Sequence, residues 1–130
     1  MRLKIVIILF LLYFIPKNSF ADWIMLFSIN EGDLYIDSSS IKRKKNRIFY
    51  NQLVNYKKKK SNGILSLISY SELDCKSLKI RDLNYELFEL EMGRGKNIYK
   101  GRPSKKWKKY ADGTSANLVN KLLCERVHSP

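Results

Sequence analysis

An unbroken apolar run from Ile5 to Ile15, preceded by Arg2 and Lys4 and stopped by Pro16, sets the first limit on what this chain can fold into. Its 11 residues fall well short of the roughly 20 that a helix needs to cross a membrane. Ser19-Phe20-Ala21 follows as a small-residue cleavage site. Basic flank, short apolar stretch and small-residue site together read as a secretory signal peptide over residues 1–21. Those positions contribute nothing to a folded core, so residues 22–130 remain as one domain, too short to hold a second core. No cysteine adjoins the cleavage site, which leaves neither a lipid acceptor nor a stable membrane anchor after processing. The expected location is the periplasm or the exterior.

Export changes the reading of Cys75 and Cys124. In an oxidising compartment two thiols in a small domain pair, so a single disulfide is expected. Their wide separation is unlike the Cys-x-x-Cys spacing of a redox pair.

Along the remaining chain, Trp23–Phe27 is a compact apolar run that reads as a first strand, ending at the turn cluster Asn30-Glu31-Gly32-Asp33. Leu34–Asp37 follows as a second. Lys42-Arg43-Lys44-Lys45-Asn46 reads as a turn that no core could bury. Residues 48–56 alternate with a period near two and form a third strand, and Ile64–Cys75 alternates again as a fourth. Lys79–Leu90 fits both strand and helix spacing. The Gly93-Arg94-Gly95 break favours a strand paired through a hairpin with Asn97–Lys100. After an irregular basic stretch, Thr114 or Ser115 caps a helix with Leu118, Val119, Leu122 and Leu123 as its apolar stripe. The expected fold is α+β: a twisted antiparallel sheet of five or six strands, with one C-terminal helix packed on it and tied by the Cys75–Cys124 disulfide. In a meander, turns fall at alternate ends of the sheet. The Lys42–Asn46 turn, the corner at Lys76 and the Lys100–Lys109 segment then share the more positive end.

An ordered set of residues carries a family resemblance. It runs through Trp23, Tyr35-Ile36-Asp37 with Ser40-Ile41, Leu53-Val54-Asn55-Tyr56-Lys57, Asp74-Cys75-Lys76, Gly93-Arg94-Gly95, Trp107, Asp112-Gly113-Thr114 and Cys124. Over residues 22–124 the chain resembles the surface-adhesin protein E family of small exported bacterial domains. The resemblance implies the same sheet with a disulfide-tied C-terminal helix. It also implies an adhesin role, binding host matrix or serum proteins and glycosaminoglycans through basic surface residues. The family's surface adhesins are lipid-anchored, whereas this leader ends in Ser-Phe-Ala.

Charge is the strongest functional signal. The leader holds three of the 25 Lys and Arg and none of the 12 Asp and Glu, so 22 cations face 12 anions in the rest, a net +10. Clustered cations bind sulfate or phosphate arrays by releasing counterions, with salt-sensitive affinity. Lysine runs also serve merely to keep loops solvated. The candidate ligand-binding residues are Lys42, Arg43, Lys44, Lys45, Lys105, Lys106, Lys108, Lys109 and Tyr110. Trp107 reads as a core anchor rather than a stacking platform. The signal peptide and the lack of a recognition-helix, zinc-finger or RNP pattern argue against nucleic acid. Met92-Gly93-Arg94-Gly95-Lys96-Asn97 lacks the spacing of a phosphate loop.

No enzyme is expected. His128, the single histidine, lies in the C-terminal tail, and Glu86, Glu89 and Glu91 read as solvent-facing or cation-paired. One His and two Cys leave no metal site and no Cys-His nucleophile, and no cofactor is called for. The expected function is a non-enzymatic exported binding module whose partner is a sulfated glycan or a host matrix protein. The alternative is a periplasmic structural or interaction protein whose partner is another bacterial envelope protein. An open sheet edge would allow dimerisation by strand addition.

Overall fold

The computed structural model describes residues 21–103 and 105–129, so the expected signal peptide lies, but for Ala21, outside the described residues. Seven strands form one antiparallel sheet: β1 (Trp23–Ser28), β2 (Gly32–Asp37), β3 (Lys42–Lys44), β4 (Arg47–Tyr56), β5 (Ser66–Asp74), β6 (Lys79–Phe88) and β7 (Asn97–Gly101). One helix, α1 (Ser115–Arg126), follows. The order across the sheet is β1-β2-β4-β5-β6-β7, with β3 also paired to β4. The long alternating runs became β4, β5 and β6, and the ambiguous Lys79 stretch is a strand that ends at Phe88.

Five or six strands were expected, and β3 is the addition, lying inside the basic segment read as a turn. It sits beside β2 on the same flank of β4: β2 covers Gln52 to Tyr56, while β3 pairs with Arg47 to Phe49. A single 3-10 turn, Ser38–Ser40, joins them. Across this splice the Asn51 amide has no strand to donate to, and the Ser40 hydroxyl accepts it at 2.8 Å. Asp37, only 5% exposed, pins the turn. Its Oδ1 accepts from the Ser39 amide at 3.0 Å, the Ser39 hydroxyl at 2.6 Å and the Asp22 amide at 3.0 Å. The conformation thus depends on a short polar side chain that competes with the strand ladder.

The pleat sends alternate residues to opposite faces. One face, under α1, carries the core cluster Ile36, Ile48, Tyr50, Leu73 and Ile80, with Leu123, Cys124 and Val127 packed against it. The disulfide joins Cys75, just after β5, to Cys124 in α1 with the Cα atoms 5.6 Å apart, an ordinary span for a bridge. The pairing is as expected.

Thr114 caps α1, its hydroxyl accepting from the Asn117 amide at 3.2 Å. The expected apolar stripe holds only in part: Leu123 packs against the core and Val119 lines the space beneath the helix, whereas Leu118 and Leu122 are 58% and 43% exposed. Asn117, Asn120, Cys124 and Val127 complete the inward side. The disulfide fixes the rotation at Cys124. Arg43 fixes it again, its Nη1 donating to the Cys124 and Val127 carbonyls, each at 2.7 Å.

Among the described residues no helix covers the opposite face. At one end the 3-10 turn Glu91–Gly93 folds over Leu53 and Ile68. Asn55 Oδ1 accepts from the Met92 amide at 2.7 Å, and Ser66 Oγ accepts from the Gly93 amide at 2.9 Å. Gly93 takes a left-handed φ of 67°, and a side chain there would strike Ile68. No helix among the described residues is long and apolar enough to cross a membrane.

Candidate ligand-binding surface

At the other end of the open face, Glu72 on β5 sits between Arg47 on β4 and Arg81 on β6. Its Oε1 accepts from Arg47 Nη1 and its Oε2 from Arg81 Nε, both at 2.7 Å. Asp74 adds a longer contact to Arg47 at 3.9 Å. Trp107 covers the group: the Arg81 and Arg47 guanidinium carbons lie 4.4 Å and 4.9 Å from its ring centre. Delocalised, weakly hydrated guanidiniums suit such a roof. Trp107 is positioned by a backbone bridge between Lys108 and Ile80, whose two hydrogen bonds measure 2.8 and 2.9 Å. The bridge aligns the Lys105–Tyr110 segment with the edge of β6. Trp107 is therefore not the core anchor expected from the sequence: it is half-buried over these two guanidiniums, on the face opposite the core cluster.

This arrangement brings the two candidate segments to one end of the sheet, because Lys44 pairs with Arg47 and Trp107 rests on that same Arg47. The Lys45–Asn46 turn meets the next corner through the Cys75 amide, which donates to the Asn46 carbonyl at 2.8 Å. Lys42 and Lys44 are exposed on the open face, cross-strand from Phe49 and Arg47, and Phe49 stacks with Tyr70 at 6.2 Å. Lys45, in the turn, and Lys105, Lys106 and Lys109 are also exposed. None of these six lysines makes an ion pair among the described residues.

The remaining three candidates lie elsewhere. Arg43 points to the helix side, where its guanidinium is spent on the end of α1 and, through Nε, on the Lys45 carbonyl at 2.9 Å. Tyr110 packs against the core beneath α1. Lys108 follows it to that side, its ammonium 5.5 Å from the Tyr110 ring. No sequence signal separated Arg43 from its neighbours, because a three-residue strand is too short to show a period. The Arg47–Glu72–Arg81 group had none either, since it draws on three strands. Of the carboxylates read as solvent-facing or cation-paired, Glu86 pairs with Lys100 at 3.5 Å and Glu91 is exposed, whereas Glu89 accepts from the Lys96 backbone amide at 3.1 Å.

Among the described residues no three His, Cys, Asp or Glu side chains gather as a metal site would require. The surface and the fold define a class: a small disulfide-bonded sheet-and-helix domain with a basic, aromatic-centred end. The chain belongs to the surface-adhesin protein E family, whose family model matches residues 23–125. Membership supports an adhesin-like role and an exported or surface location. The fold is that of protein E from non-typeable Haemophilus influenzae, with a TM-score of 0.60 at 19% identity, covering 85% of this chain and 80% of that one. A second crystal form of Haemophilus influenzae protein E gives 0.62 at 18%, covering 85% and 92%. No curated protein sequence matches the chain.

Proposed function

We propose that the chain is a non-enzymatic exported binding module that captures sulfated glycans or acidic stretches of matrix proteins at its basic end. The observation that carries this reading is the meeting of two sequence-distant sets of exposed, unpaired lysines around Arg47 and Trp107. Lys42, Lys44 and Lys45 come from one segment, and Lys105, Lys106 and Lys109 from the other. Glu72 and the more distant Asp74 already engage the guanidiniums, so these ammoniums are the groups that would exchange small counterions for a polyanion. Replacing all six lysines by serine should move elution from heparin resin to much lower salt, with the disulfide and circular dichroism unchanged. Elution at the same salt by the folded variant would sink the proposal.

A protein partner within the bacterial envelope is the second reading, and the sheet edge favours it. Among the described residues the outer backbone edge of β1 is unpaired, and the strand carries Ile24 and Met25, 49% and 55% exposed. Such an edge accepts an added strand. Stoichiometric capture of an envelope protein, insensitive to the lysine changes but lost with a proline in β1, would support it.

A further inference from the structure

We infer that the cavity between α1 and the sheet is a binding site for an amphiphile, an aliphatic body carrying a hydrogen-bond-donating head such as an amide or a hydroxyl. The cavity measures about 450 Å³, within the ~300–1,000 Å³ of small-molecule sites. It lies on the face opposite the Trp107 group and is independent of the lysine-based reading.

Its composition departs from that of a helix-covered core. Phe27, Leu34, Val54 and Leu67 supply an apolar wall. Tyr50, Gln52, Ser69 and Asp82 occupy the positions on β4, β5 and β6 where a packed interior would carry aliphatic side chains. These polar groups are organised. Gln52 Nε2 donates to the Ser71 hydroxyl at 2.8 Å, and that hydroxyl donates to Asp82 Oδ1 at 2.8 Å. The relay ends on a carboxylate with one further oxygen and, among the described residues, no cation in contact. Asn120 of α1 also borders the cavity, but its Nδ2, which has no hydrogen-bond partner among the described residues, is closed off from the cavity space.

The free Asp82 oxygen on the sheet side therefore takes a hydrogen-bond donor, which an amide or a hydroxyl supplies. A carboxylate head has no proton for Asp82 and is repelled by it. Burial, and then the nearby Tyr110 and Asp82, hold the Tyr50 phenol well above its ordinary pKa, so it stays neutral as a further donor. Lys108, Thr114 and Ser115 are exposed at the cavity's margin, where a ligand enters.

Titration of the disulfide-bonded protein with octanamide and with octanoate, followed by amide NMR shifts, tests the assignment. Octanamide should shift Gln52, Ser69 and Asn120 saturably, and octanoate should bind at least about tenfold more weakly for want of the Asp82 bond. Asp82→Asn should bring the two affinities together. Val119→Trp fills the cavity and should abolish binding while heparin retention stays as in the parent protein. Ala116→Leu serves the same purpose if the tryptophan variant does not fold. Equal affinities in the parent protein, no saturable shifts at those residues, or undiminished binding by a folded cavity-filled variant would each overturn it.

Discussion

On the face beneath α1, Ile48, Leu73 and Ile80 are almost wholly buried by a helix that a covalent bond holds in place. On the other face of the same strands Glu72 is 6% exposed, as buried as many a core aliphatic, with no helix above it. Two guanidiniums and an indole close that end instead. Packing on the first face is non-directional, and its geometry is imposed at the end of α1 by Cys124 and Arg43. On the second face the geometry is the interaction, because each Glu72 oxygen meets one nitrogen at 2.7 Å. A buried ion pair contributes little net stability over an apolar isostere, yet removing one partner costs heavily. The arrangement therefore fixes position more than it stabilises, and position is what lines up Lys44 with the Trp107 segment.

Breaking the comparison begins with its covalent side. Cys75→Ser combined with Cys124→Ser should lower unfolding free energy by roughly 4 kcal/mol, as expected for closing a loop of this length, read as the shift in urea midpoint. A loss no larger than that of a surface substitution would mean that the helix holds by packing alone. On the open face, Glu72→Ala should cost about 2 kcal/mol, less than a fully buried pair would, because the Arg47 and Arg81 side chains remain 41% and 28% exposed. Tryptophan emission should shift to the red as the roof loosens. An unchanged midpoint would place Trp107 under other control. The smallest effect separates the faces by pH. Burial raises the Tyr50 pKa from 10.0, so the unfolded phenol ionises first. Its contribution is whole below pH 10 and is lost as pH rises beyond it. Tyr50→Phe should flatten the alkaline limb of the stability curve relative to the parent protein, and an identical limb in both would assign it to the lysines.

Much of this fold was legible because period-two alternation survives burial. Ile48, Tyr50, Val54 and Tyr56 recur at every second position of one run and Leu65, Leu67 and Leu73 of the next, with Gln52, Ser69 and Ser71 as the polar exceptions, and Thr114 announces the helix. The disulfide followed from compartment and cysteine count. Three features were not legible, for different reasons. β3 hid in a lysine run because three residues cannot show a period. The rotation of α1 is set by Arg43, 81 positions from the Cys124 carbonyl it holds, and local leucine spacing carries no trace of it. The cavity depends on polar residues of three strands and a helix meeting in space, and alternation records only which face each residue takes.

Asp22 and Asp37 give the edge of the sheet a link to processing. The Asp22 nitrogen lies 3.0 Å from a nearly inaccessible carboxylate. Cleavage after Ala21, the position the leader proposes, would convert that neutral amide into an ammonium already seated on its counter-charge. Maturation would then write an electrostatic latch onto β1 and β2 that the precursor lacks. Chemical acetylation of the new terminus would erase it, and an acetylated protein as stable as the free amine would show that no latch exists.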